Sequence, residues 1–233
     1  MSALVRAELL RLRTVRAPVA GAAGAFALLC LMSVLGNTRE GHGLEVAVRG
    51  LQPLAMLFAA IGAATVAGNE FRRGATALTY LAAPRRGRAL AARVGVFAVL
   101  GAAFAGLAAA ATGALALTLA ARNGWHVGLT GTEVAGLAAG AAVGGALLSA
   151  AGVLVATVAR DGTVASVLLV PLSIAENLLA PGDVNRYMPF HLINGLVDVG
   201  PHLAAASAAA LLAGYVIVLG MAVARWALPR DLT

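Results

Sequence analysis

The chain alternates long uncharged runs with short clusters of charge. Five runs of 20 to 28 residues contain no acidic or basic residue, and a sixth, from Gly162 to Gly182, contains only Glu176. The five uninterrupted runs lie between Arg16 and Arg39, Arg49 and Glu70, Arg93 and Arg122, Glu133 and Arg160, and Asp198 and Arg225. Since about 20 residues of α-helix cross the ~30 Å hydrocarbon core of a bilayer, the pattern predicts six transmembrane helices.

The predicted fold is therefore all-α, a polytopic membrane protein whose residues 1–233 form a single transmembrane domain. The spans are predicted at residues 17–36, 51–69, 92–121, 133–158, 162–180 and 203–227. Residues 2–16 place leucines among arginines and predict a short amphipathic helix lying on the membrane surface. The alternative is an ordinary basic flank that anchors the first span.

Composition supports a membrane protein and weakens a nucleic-acid interpretation. The chain is 61% hydrophobic and 12% charged, whereas a soluble domain carries roughly 25% charged residues. The excess apolar surface is expected to face lipid, which makes membrane lipids the surrounding partner. The net charge of +7 comes from arginines at the ends of apolar runs, so no nucleic-acid partner is expected.

The arginines also predict an orientation. With the N-terminus inside, thirteen arginines fall in cytoplasmic segments, and only Arg39, Arg49, Arg122 and Arg186 fall outside. This separation follows the positive-inside rule and predicts that both termini are cytoplasmic. The expected location is a bacterial cell membrane.

The sequence contains no recognisable catalytic motif. All 17 basic residues are arginine, so a P-loop, which requires lysine, is absent, and Gly-x-Ser-x-Gly and His-Glu-x-x-His are absent too. The four histidines fall in predicted external loops and are too scattered to indicate a metal site; they are His42, His126, His191 and His202. No enzymatic activity, catalytic residue, metal or cofactor is predicted.

The connection between the second and third spans carries an ordered set of residues. Glu70 to Leu81 is predicted to form a short cytoplasmic helix across the membrane face, and Pro84 is expected to end it. Such a helix would give a soluble partner a rigid element to bind. The alternative, a positively charged stop that only sets orientation, explains the arginines but not the ordered Glu, Gly-x-Thr and Pro positions.

This loop resembles that of the ABC-2-type permeases, the membrane subunits of ATP-binding-cassette exporters with the G-type fold. The matching positions are Glu70, Gly74, Thr76, Leu78, Pro84, Arg85 or Arg86, and Arg88, with Arg93 following. In that family the loop is the coupling helix, which docks on a separate ATPase. The docking residues that the resemblance implies are Glu70, Phe71, Arg72, Arg73, Gly74, Thr76, Leu78, Pro84, Arg85, Arg86 and Arg88.

Further segments are similar to the same family. Residues 2–16 resemble its connecting helix, and residues 158–161 resemble its short turn between spans 4 and 5. The stretch from Pro181 to Pro201 resembles its external segment, in which short helices re-enter the outer leaflet. The resemblance implies a homodimer or heterodimer of permeases that binds two copies of the ATPase and exports a cargo that it does not identify. The small number of charges within the spans suits a moderately apolar cargo. The alternative is a non-transporting membrane scaffold or a resistance or immunity factor.

Two features within the spans allow more than one interpretation. Glu176 is either an interfacial or loop-paired carboxylate or part of an exit path or gate, because a carboxylate within a span is costly. Gly136, Gly140 and Gly144 lie four residues apart and predict a close helix contact. The spacing leaves open whether that contact lies within one subunit or between two.

Overall fold

A computed structural model describes residues 41–72, 86–179, 186–198 and 203–226, together with Ala27 and Val184. Apart from these two isolated residues, the described ranges form six helices and contain no strand. The helices are α1 (Gly41–Arg72), α2 (Arg86–Asn123), α3 (Gly131–Ala159), α4 (Gly162–Leu179), α5 (Pro189–Leu196) and α6 (Ala205–Trp226).

Four of these helices, α1, α2, α3 and α6, are long and apolar enough to cross a membrane. The all-helical prediction is confirmed for the described residues, four of the predicted spans fall on helices that could cross a membrane, and the chain is a candidate multi-pass membrane protein. The predicted fifth span corresponds to α4, which has 18 residues with Pro171 inside it and a shorter apolar stretch, Gly162–Glu176. The predicted amphipathic helix 2–16 and the first span 17–36, except Ala27, lie outside the described residues.

Helix α1 begins ten residues earlier than the predicted span 51–69. Glu45 and Arg49, predicted to lie in an external loop, are therefore helical. The Arg49 Nε atom lies 3.2 Å from Glu45 Oε1, one turn away, and Arg49 Nη1 lies 3.6 Å from Asp198 Oδ2. Because these charges offset one another, the helix can continue past the apolar run.

Two of the histidines predicted in external segments are helical. The loop prediction is wrong for His42, whereas His191 lies in the stretch for which the resemblance implies short helices. His42 lies in the first turn of α1, and His191 lies in α5. Among the residues that the structure describes, no group of three or more His, Cys, Asp or Glu side chains could hold a metal ion.

The helices run between two charged levels, which we name the Arg49 end and the Glu70 end. Along α1 these two residues are separated by about 31 Å at 1.5 Å per residue, which matches a bilayer's hydrocarbon thickness. Gly128, just before α3, lies beside Glu45 at the Arg49 end. Gly162, the first residue of α4, packs on Gly68 of α1 near the Glu70 end.

The last turns of α6 lie at the Glu70 end as well. Val223 of α6 packs with Leu90, early in α2, and Leu154, late in α3. Neighbouring helices therefore alternate in direction, as short connections between spans require. Arg225 in the last turn of α6 lies at the same end as Arg88, whereas Arg122 in the last turn of α2 lies at the opposite end.

Helix α3 packs closely against its neighbours through small residues. A Cβ atom on Gly145 would lie 2.4 Å from the Gly101 carbonyl oxygen of α2, and a Cβ atom on Gly152 would lie 2.5 Å from the Ala60 carbonyl oxygen of α1. Side chains at these positions would separate the helices. Glycine and alanine therefore set the interhelical distance, as is common in membranes.

The predicted glycine face of α3 is explained within one chain. A Cβ atom on Gly140 would lie 1.8 Å from the Leu196 carbonyl oxygen of α5, and one on Gly144 would lie 2.3 Å from the Met56 sulfur of α1. Gly136 has open space at the same position. The absence of side chains at Gly140 and Gly144 therefore allows α5 and α1 to pack directly against α3.

Candidate functional site

The loop predicted to dock a partner is flanked by a buried ion pair. Glu70 lies in the last turn of α1, and Arg93 lies about two turns into α2. Arg93 Nη2 forms an ion pair with Glu70 Oε2. The two residues are only 7% and 5% exposed, so the contact is screened little by solvent.

Arg93 is held by two further contacts from α1. Its Nη2 atom donates a hydrogen bond of 2.9 Å to the Ala67 carbonyl oxygen, and its Cζ atom lies 5.7 Å from the centroid of the Phe71 ring. A carboxylate is unfavourable near the negative end of a helix dipole, so a cation is needed at this position. Arg93 supplies that cation and fixes the end of α1 to the start of α2.

The structure divides the predicted docking residues into two groups. Glu70 and Phe71 face Arg93, and α1 continues without a break through Arg72, so these three residues extend the span and do not begin a separate helix. Arg86 begins α2, and Arg88 is exposed on it. Arg73, Gly74, Thr76, Leu78, Pro84 and Arg85 lie outside the described residues.

The turn between α3 and α4 lies close to this ion pair. Arg160 adopts a left-handed conformation, with φ of 54°, and caps α3. The Asp161 Oδ1 atom accepts hydrogen bonds from the amides of Thr163 and Val164, at 2.7 and 3.1 Å, and so caps α4. Gly162 packs on Gly68 and Asn69. The two-residue turn therefore lies against the end of α1.

Glu176 contacts the first turn of the short helix α5. Its Oε2 atom accepts a hydrogen bond of 2.8 Å from the Phe190 amide, and the residue as a whole is 8% exposed. Met188, the N-cap residue of α5, makes no side-chain capping bond. Glu176 therefore satisfies a free amide of α5 from another helix. This is the loop-paired carboxylate of the sequence analysis, and a role in an exit path stays a prediction.

Helix α5 lies beside the middle of α3. The Leu196 carbonyl oxygen faces Gly140, and the Leu196 side chain approaches Gly144. These glycines are about 14 and 20 Å from the start of α3 at 1.5 Å per residue. Asp198, two residues after α5, reaches Arg49. Helix α5 and the two residues after it therefore run from the middle of α3 towards the Arg49 end.

Two contacts of the structure were not predicted from the sequence. Thr130 and Glu133 form a capping box: Glu133 Oε2 accepts from the Thr130 amide at 2.6 Å, and Thr130 Oγ1 accepts from the Glu133 amide at 3.3 Å. The Thr-x-x-Glu spacing signals such a helix start and would have placed the beginning of α3 correctly. The contact between Arg49 and Asp198 has no comparable local signal.

The fold and these sites define an all-helical protein with several apolar helices of membrane-spanning length and charged groups paired at both ends. No protein-family model, curated protein or solved structure matches the chain. Its function must therefore be inferred from its own residues.

The buried ion pair predicts a specific pattern of stability. We expect Glu70→Ala to destabilise the protein by about 3–5 kcal/mol, because it leaves the Arg93 charge buried and unpaired. Replacing both residues by leucine should cost much less than the sum of the single leucine replacements. Arg88→Ala, at an exposed position on the same helix, is the control and should change stability by less than about 0.5 kcal/mol. Thermal unfolding of the purified protein in detergent measures these differences, and additive effects would contradict the pairing.

The capping contact predicts a local effect of Glu176 substitution. Glu176→Ala removes the acceptor for the Phe190 amide, so hydrogen exchange should accelerate across residues 190–192 of α5. Glu176→Gln keeps an acceptor oxygen and should retain most of the protection. Exchange measured by mass spectrometry tests this, with α3 as the internal reference. Equal exchange in both variants and the wild type would show that the contact does not hold α5.

Proposed function

We propose that this chain is the membrane subunit of an ATP-binding-cassette exporter in a bacterial cell membrane. It has six spans and cytoplasmic termini, forms a homodimer or heterodimer, and binds two copies of a separate ATPase at the loop between α1 and α2. The main support is the ordered motif of residues 70–88. The ion pair between Glu70 and Arg93 adds to it, because that pair ties together the two helices from which the loop emerges.

The ion pair gives the loop a mechanical connection to the membrane helices. A force applied to residues 73–85 acts on α1 and α2 together, because Arg93 contacts Glu70, Phe71 and Ala67 near the end of α1. The turn at Arg160 and Asp161 lies beside the same helix end. Movement of a docked ATPase would therefore reach α1, α2 and α4 through direct packing.

ATP binding would change the arrangement of the two permease halves. A ligand shifts a conformational equilibrium only to the extent that it binds one state better than the other. In the proposed cycle, ATP draws the two ATPases together, and the docking loops transmit this movement so that access changes from the inside to the outside. The loop between α1 and α2 is the element that transmits the movement of the ATPases, and with it the preference of ATP for one state, to the membrane helices.

The distribution of arginine favours the Glu70 end as the cytoplasmic one. Arg88, Arg93 and Arg225 lie on helices at this end, Arg160 directly follows α3 there, and Arg49 and Arg122 lie at the other end. Cytoplasmic loops are enriched in basic residues. An exposed arginine such as Arg88 also suits contact with a soluble partner, whereas the buried Glu70 does not.

Docking predicts that charge reversal at the Glu70 end weakens binding of the ATPase. We expect Arg88→Glu to reduce co-purification with an ATPase that the wild type binds by at least about tenfold, because a favourable contact is lost and a repulsive one is introduced. Thr76→Ala tests the loop itself. Glu70 is unsuitable for this purpose because its replacement would disturb the helix pair.

The matched control is Arg122→Glu, on the same helix about 50 Å away. It should leave co-purification unchanged, and all variants should reach normal levels in the membrane. Equal recovery of the ATPase with Arg88→Glu, Thr76→Ala and the wild type would contradict docking at this loop. Failure of the wild type to bind any ATPase would favour the non-transporting scaffold or resistance factor.

A further inference from the structure

Helix α5 separates its apolar side chains from its polar ones. The large apolar side chains pack into the core of the helix bundle; they are Phe190, Leu192, Ile193 and Leu196. The two polar side chains, His191 and Asn194, are only half-buried and lie one turn apart. In the part of the chain that the structure describes, neither of these two side chains makes a hydrogen bond. Helix α5 therefore presents a polar face that the chain itself does not satisfy.

The last turn of α5 lies well inside the Arg49 end. The Leu196 side chain approaches Gly144 of α3, and Gly144 also faces Met56 of α1. Met56 is about 10 Å from Arg49 along α1 at 1.5 Å per residue. Asp198, whose side chain is 72% exposed, then reaches Arg49. The exposed surface therefore continues from α5 up to the charged level.

The first turn of α5 also lies far from both charged levels. Glu176, which accepts a hydrogen bond from this turn, is about 21 Å along α4 from Gly162 at the Glu70 end. Tyr215 donates a hydrogen bond of 3.3 Å to the Tyr187 carbonyl oxygen, just before α5. Tyr215 is about 12 Å along α6 from Val223, which lies at the Glu70 end. Since the two levels are about 31 Å apart, the start of α5 is within the hydrocarbon region of a membrane that matches them.

A non-helical turn, residues 186–188, lies at this depth and leads into α5. Arg186 is exposed in it, and Tyr187 is 43% exposed. Irregular backbone and charged side chains occur at membrane depth only where protein covers them or where they line a water-filled space. This chain does not cover them. The turn and the polar face of α5 are thus two separate features that require a polar surrounding.

We propose that the polar face of α5 lines a water-filled vestibule, which opens at the Arg49 end and reaches the turn at residues 186–188. Lipid at this face would leave the side chains of His191 and Asn194 without hydrogen bonds, which is costly. A covering protein would need a matching set of polar groups, whereas water satisfies each group separately. The exposed Asp198 gives water a continuous entry from the charged level. The vestibule admits small hydrophilic molecules and does not depend on the exporter function.

Thiol accessibility in the full-length chain tests the vestibule. In a Cys30→Ser background, His191→Cys and Asn194→Cys each introduce one thiol on the polar face. The purified proteins in lipid nanodiscs react with the charged reagent sulfonatoethyl methanethiosulfonate, which does not enter lipid. We expect both rates to be within about tenfold of the rate for Arg122→Cys at the end of α2, because water lets a thiol ionise. Both faces of a nanodisc meet the reagent, so the orientation of the chain in the cell does not affect the result.

Two control positions separate a vestibule from other routes to the thiol. Ile217→Cys lies on α6, where Ile217 is 60% exposed, and should react at least about a hundredfold more slowly than Arg122→Cys, because an apolar surrounding disfavours the thiolate. Ile193→Cys lies on the buried face of α5, where Ile193 is 3% exposed, and should be equally slow. Fast reaction of Ile193→Cys would show that the reagent reaches α5 through local unfolding.

Thermal unfolding in nanodiscs gives a second measurement that needs no cysteine. His191→Leu and Asn194→Leu should leave the Tm unchanged or lower it, because a leucine that faces water gains nothing from transfer into lipid. At a lipid-facing position the same substitutions would remove an unsatisfied polar group and raise the Tm. Ile217→Asn is the reverse control and should lower the Tm, since it places a polar group in lipid.

The proposal is wrong if His191→Cys and Asn194→Cys react as slowly as Ile217→Cys, because lipid or another protein then covers the polar face. It is equally wrong if only Asn194→Cys reacts quickly, since water would then stop short of the start of α5. A rise in Tm for both leucine variants would also contradict it, because that result indicates a lipid-facing surface.

Discussion

A hydrocarbon layer accepts charged side chains only at its edges or in neutralising pairs, and this constraint explains the arrangement of the helices. Glu45, Arg49 and Asp198 meet at one level, and Glu70 and Arg93 meet at another. Between the levels α1 has about 31 Å of uncharged helix. The pair of Arg49 and Asp198 joins α1 to the chain after α5, and the pair of Glu70 and Arg93 joins α1 to α2, so contacts that neutralise charge also hold neighbouring segments together.

Helix α1 carries Glu45 and Arg49 at one end and Glu70 at the other, and therefore links the two charged levels. At the Arg49 end it contacts the chain after α5 through Asp198. At the Glu70 end it contacts α2 through Arg93 and α4 through the glycine contact between Gly68 and Gly162. A movement of α1 is expected to affect both ends, which is the property that a transport mechanism driven from one side of the membrane requires.

The sequence predicted the positions of the apolar helices well, because uncharged runs are set by the bilayer and can be read without knowledge of tertiary contacts. The early start of α1 was missed because charged residues were taken to end the span, and one partner of Arg49, Asp198, lies far along the chain. Glu70 and Phe71 were assigned to a docking surface by their place in a motif, but their burial depends on Arg93.

The most direct test of the proposed arrangement is the side of the membrane on which the Glu70 end lies. In a chain with Cys30, its single cysteine, replaced by serine, Arg88→Cys and Arg122→Cys introduce one thiol at each end of α2. With a membrane-impermeant maleimide and intact cells, we expect labelling of the Arg122→Cys protein and protection of the Arg88→Cys protein until the cells are permeabilised. Labelling of the Arg88→Cys protein in intact cells, with protection of the Arg122→Cys protein, would contradict a cytoplasmic docking loop.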